Sequence, residues 1–73
     1  MRSAIEVAIA DVGSQGAVAR ALGITRQAVT FWVRTGRLPA ERAIELEELT
    51  EGRVTREMLR PDLFAPARKY KNG

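Results

Sequence analysis

The chain has 73 residues, room for one domain with a modest core, and it holds neither cysteine nor histidine. That excludes disulfides and thiolate metal sites, and it removes the commonest metal ligand and the commonest acid–base catalyst near neutral pH. Its net charge of +3 is unevenly spread: five arginines against two acids in residues 1–37, three arginines against six glutamates in 38–59, four cations against one acid in 60–73.

Helix starts and stops follow one another along the chain. Ser3 and Glu6 have the spacing of a capping box, and Ile5, Ala8, Ile9 and Val12 then recur on one helical face. Gly13 is expected to close this helix in the left-handed conformation. Ser14 reads as the N-cap of a second helix, with Val18, Ala19 and Leu22 as its apolar stripe and Gly23 as its stop. Thr25 caps a third helix ending near Gly36, and Ile24 before it is placed to staple onto Val29.

Pro39 suits the first turn of a fourth helix, in which Ala43, Ile44, Leu46 and Leu49 face inward and which Gly52 ends. A short fifth helix repeats the staple and cap with Val54, Thr55 and Leu59 and stops at Pro61. For Met58, Leu59, Leu63 and Phe64 two uses remain open, closing the core or forming a dimer seam. No stretch alternates with period two, so the fold class is all-α, a compact bundle of four to five helices. Residues 1–64 form the domain, and the basic tail 65–73 lacks an apolar stripe and is expected to be mobile.

Apolar runs reach only three or four residues, and the N-terminal stretch lacks the apolar core of a secretory signal. A cytoplasmic location without membrane contact is therefore expected. Glu41, Glu45 and Glu48 recur at helical spacing, which a solvated face explains better than paired catalytic carboxylates. We expect no cofactor, no metal and no enzymatic activity.

The most informative stretch is "LGITRQAVTFWVRTGR", residues 22–37, which carries three arginines and no acid. Leu22-Gly23-Ile24 is a tight corner between helices two and three, and the small Ala19 one turn earlier lets them approach. That combination is a helix-turn-helix. At about 100° per residue, Val29, Trp32 and Val33 share one side of helix three, whereas Gln27, Thr30, Phe31 and Arg34 share the other. Trp32 is therefore expected in the core. Phe31 is left outside, either as a surface or interface apolar group or as a contact for thymine methyls or sugar in a groove.

The polar residues of that outer face suit the reading of bases. Arginine can donate two bonds to guanine O6 and N7, and glutamine can pair with adenine N6 and N7. Arg26 and Gln27 occupy the first turn, the end that enters a major groove. Gln15, Thr25 and the helix N-termini suit phosphate oxygens. Arg34 and Arg37 lie farther along, where an inserted helix leaves the groove and meets the backbone. For Arg37, as for Arg20, plain solvation is as compatible as a phosphate contact.

Gln15 through Arg34 resembles the twenty-position helix-turn-helix of phage Cro and lambda-repressor-like proteins. A closer likeness covers about residues 10–64, which resemble small Cro-type phage regulators and the related YdaS-type antitoxins. The half "LPAERAIELEELTEGRVTREMLRPD" is its more specific part. The resemblance implies a bundle that binds operator DNA as a symmetric dimer, with contacts at Gln15, Thr25, Arg26, Gln27, Thr30 and Arg34. Phe31 departs from the polar residue often found at its place.

The leading reading is thus a sequence-specific regulator of double-stranded DNA, a Cro-type repressor acting by occupancy of a near-palindromic operator as a homodimer. The alternative is an antitoxin or adaptor whose main partner is a protein such as a toxin or polymerase subunit, anchored through Phe31 with the apolar tail. Single-stranded RNA binding is a distant third, since only Phe31 and Tyr70 offer exposed rings for stacking.

Overall fold

In a computed structural model, residues 2–64 are described and form five helices: α1 (Ala4–Val12), α2 (Gln15–Leu22), α3 (Arg26–Thr35), α4 (Ala40–Leu49) and α5 (Arg56–Leu59). The expected mobile tail, 65–73, lies outside the described residues.

Local capping accounts for most helix ends. Ser3 Oγ accepts from the Glu6 amide, and Glu6 Oε1 accepts from the Ser3 amide, both at 3.2 Å. Ser14, Thr25 and Thr55 each accept from the amide three residues on, at 3.0, 3.1 and 3.2 Å. Caps of this kind contribute about 1 kcal/mol each. That matters in helices this short, which would not persist alone.

Gly13 closes α1 at φ 137° and ψ −52°, not in the left-handed well we expected. Only Gly13 and Ser14 separate α1 from α2, and Ser14 must be fully extended to cap α2, so the reversal falls on a conformation that side chains rarely adopt. Gly23 does adopt the left-handed conformation, at φ 71°. Its amide bonds to Arg20 O at 3.3 Å and the Ile24 amide to Ala19 O at 3.0 Å, so α2 turns into α3 with these two carbonyls satisfied.

Two boundaries differ from the sequence reading. Pro39 is the N-cap of α4 and not a first-turn residue. Its ψ of 151° is extended, and its carbonyl accepts from the Arg42 and Ala43 amides at 3.0 and 3.1 Å. The stop of α4 begins one residue before Gly52, at Glu51, which takes a left-handed φ of 56°. The Glu51 and Gly52 amides bond to Glu48 O and Glu47 O at 3.0 and 2.9 Å, which closes the helix in a double-bonded turn.

The core draws on every element: Ile5 and Ala8, Val18 and Ala19, Val29 and Trp32, Ala43 and Leu46, and Leu59, with Leu38 and Val54 from the connections. Ile9, Val12, Leu22, Ile24, Val33, Leu49 and Phe64 pack around it, half-buried. The closing segment divides. Leu59 is buried and Phe64 lies on the core, but Met58 and Leu63 are exposed and do not close it. Helices this short have only one inward stripe each, and Leu59 already occupies that of α5.

Thr50 is fully buried, and its hydroxyl accepts from the Val54 amide at 3.1 Å and lies 3.1 and 3.2 Å from Glu47 O and Val54 O. Glu47 Oε1 accepts from the Arg56 amide at 2.7 Å and from Arg56 Nε at 2.9 Å, so one carboxylate ties α4 to the first turn of α5. Arg60 Nη1 donates to Leu38 O at 2.6 Å, which fastens the C-terminal segment beside the end of α3. No helix among the described residues is long and apolar enough to cross a membrane.

Candidate nucleic-acid interface

α3 presents two chemically distinct sides. Val29 and Trp32 are buried, the tryptophan to 4 % exposure, because α1 and α2 cover that flank. The opposite flank is uncovered: Arg26, Gln27, Thr30, Phe31 and Arg34 are all exposed. Thr25, also exposed, caps the helix, and by helix geometry the remaining first-turn amides have no intrahelical acceptor.

Three relationships organise this flank. Thr30 Oγ1 donates to Gln15 Oε1 at 2.5 Å, so the first residue of α2 is bound to the middle of α3. The Arg34 guanidinium lies 5.9 Å from the centre of the Phe31 ring. Arg37 stands apart from both, beyond the Gly36 turn, where it borders a shallow hollow of about 290 Å³ with Phe31, Trp32, Leu38, Pro39 and Arg60. There the hydrogen-bonded Arg60 holds the Asp62 carboxyl below its usual range, and the field of Arg37 adds the smallest share.

Ion pairing sharpens the charge segregation of the sequence. Among the described residues, every arginine after position 38 is paired: Arg42 with Glu45, Arg53 with Asp11, Arg56 with Glu47, Arg60 with Asp62, at 2.7–2.9 Å. Arg20, Arg26, Arg34 and Arg37 form no ion pair with any acid among the described residues. The cations of the helix-turn-helix keep their charge and donors available, whereas the later arginines are held by acids in and around a stretch, 38–59, that is acidic overall. Such a distribution attracts a polyanion to one face.

Sequence reasoning missed one neighbour of this surface. Arg2 shares a hollow with Glu6, Ile9, Ala10, Val33 and Gln15, which brings a further cation beside the start of α2. Its distance from Gln15 along the chain hid it, since only the packing of α1 against α2 and α3 unites them. Among the described residues no cluster of acids could hold a metal ion.

The bundle, the tight α2–α3 corner and the buried tryptophan define a small Cro-like helix-turn-helix protein. More closely, the chain belongs to the family described as "Bacterial toxin YdaS", whose profile matches residues 5–68. It is 47 % identical over 57 residues to a protein of Escherichia coli (strain K12) titled "Putative transcriptional regulator YdaS". That match takes in 77 % of this chain but only 58 % of the relative's length. Among solved structures it is similar to the "Cro protein from putative prophage element Xfaso 1 in Xylella fastidiosa strain Ann-1". The identity is 45 % and the TM-score 0.82, over 85 % of this chain and 95 % of that one. The resemblance read from Gln15–Arg34 and from about residues 10–64 thus holds, and neither relative is described as an enzyme.

Proposed function

We propose that the protein binds double-stranded DNA in a sequence-specific way and acts as a Cro-type repressor, by occupying a near-palindromic operator as a homodimer. The observation that carries this reading is the uncovered flank of α3, where Arg26 and Arg34 stand without ion pairs beside Gln27, Thr30 and Phe31. Arg26 and Gln27 would meet base edges, Gln15, Thr25 and Arg37 phosphates, with Thr30, Phe31 and Arg34 farther along the groove. The likeness to a Cro protein and to a transcriptional regulator supports the same assignment.

Selection of bound duplexes from a random pool tests it. A palindrome with half-sites about one helical turn apart is expected, together with binding that weakens steeply as salt rises. A pool that enriches no sequence would refute the proposal.

One observation favours a second reading, in which the main partner is a protein. Phe31 is 53 % exposed and adjoins the hollow formed by Leu38 and Pro39. Retention on a heparin column that vanishes with salt speaks for DNA, and indifference to the column speaks for the protein partner.

A further inference from the structure

The fold contains the same pair of groups twice, an arginine over a phenylalanine ring, and the two copies are in opposite states. Arg56 lies 5.8 Å from the Phe64 centroid, but its Nε is committed to Glu47 and the ring rests on the core. Arg34 lies 5.9 Å from the Phe31 centroid, has no carboxylate partner, and the ring is 53 % exposed. The first pair holds the end of the chain in place. The second satisfies nothing within the described fold.

A guanidinium carries its N–H donors in its own plane, while its flat faces stack on rings. Phe31 stands beside Arg34 and no carboxylate engages the guanidinium, so its donor fork remains open for guanine O6 and N7. A ring beside the guanidinium that holds this guanine is placed to meet the C5 position of the preceding base. In the major groove that position carries a methyl group in thymine and only hydrogen in cytosine. Thr30, one turn before Arg34, has its proton committed to Gln15 and does not compete for the guanine acceptors.

We infer that Phe31 and Arg34 act as one reading unit for a 5-methylpyrimidine followed by guanine, the guanidinium taking the guanine and the ring the methyl group. This rests on the DNA-reading function proposed above. It makes Phe31 a specificity-determining residue and gives its exposed ring a ligand.

The test uses the full chain and the duplex it enriches from a random pool. Thymine preceding guanine is replaced by uracil, which removes one methyl group and leaves every hydrogen-bonding group in place. The wild-type protein is expected to lose about fourfold in affinity per step, the worth of one buried methyl group. Phe31→Ala should bind the two duplexes equally, and Arg34→Ala should no longer distinguish guanine from 7-deazaguanine. Both positions are exposed, and unchanged helical circular dichroism of the variants establishes that they fold. Tolerance of uracil by the wild-type chain, methyl dependence that survives in Phe31→Ala, or an enriched site without a thymine–guanine step would each overturn the inference while leaving DNA binding intact. Failure to enrich any duplex would overturn the function itself and this inference with it.

Discussion

The Thr30 hydroxyl donates to Gln15 Oε1 across 2.5 Å, joining the start of α2 to the centre of α3 fifteen residues on. One hydrogen bond thereby sets the side chain expected to meet a phosphate against one expected in the groove, and leaves the Gln15 amide N–H₂ free of this bond. Gln15→Ala and Thr30→Val should each weaken DNA binding. In a double-mutant cycle they should couple by about 0.5–1.5 kcal/mol, the worth of one hydrogen bond. Strict additivity of the two losses would mean that the bond positions neither group.

Arg26 and Gln27, exposed in the first turn of α3, should differ from Arg37 in how they fail. Arg26→Ala or Gln27→Ala is expected to cost about 1–3 kcal/mol on the preferred duplex and much less on a scrambled one. Arg37→Ala should weaken both alike and reduce the slope of log affinity against log salt by about 0.9. An unchanged slope would take Arg37 off the interface.

Thr50→Val keeps the shape of a fully buried side chain but leaves the Val54 amide without its acceptor. A loss of about 1–3 kcal/mol is expected, read as a lower urea midpoint at constant slope. A neutral result would show that water or a backbone shift satisfies the amide.

Glu51 is the one non-glycine residue among those described that holds a positive φ. Glu51→Gly should therefore stabilise the protein by about 0.5–1 kcal/mol, since relief of the left-handed penalty exceeds both the unfolded-state entropy of glycine and the exposed 3.7 Å contact with Arg53. Thermal unfolding measures the sign directly, and a lower midpoint would contradict it.

Asp11 accepts two bonds from Arg53, at 2.9 and 3.0 Å, and these hold its carboxyl below the usual aspartate range. A carboxyl whose pKa is lower folded than unfolded contributes its stability above the unfolded value of about 3.9 and loses it as pH falls through the folded value. Asp11→Asn should thus be less stable than wild type near neutrality, and the gap should close as the pH drops below about 4. Urea midpoints at a series of pH values check this; a gap independent of pH would assign the effect to something other than the charge.

The relatives are matched over most of this chain, yet it spans only 58 % of the length of the Escherichia coli regulator. What the remainder of that protein adds is a question for it alone. The uncovered flank of α3 and the unpaired arginines are properties of the 64-residue stretch that the family profile covers.

Much of this could be read in one dimension, because it is governed by neighbours three or four residues away. Caps at Ser3, Ser14, Thr25 and Thr55, the corner at Gly23 and the inward turn of Trp32 depend on local hydrogen bonds and on helical period, both of which the order of residues carries. The acid-free arginine stretch was equally visible, since charge is counted without folding. Tertiary packing decided the rest. It chose which arginines are neutralised, bringing Asp11 to Arg53 across 42 positions, and it closed the Gln15–Thr30 bond. It buried Thr50, exposed Met58 and Leu63, and brought Arg2 beside Gln15. Those outcomes turn on distances between segments remote along the chain, which exist only once the hydrophobic stripes have chosen their partners.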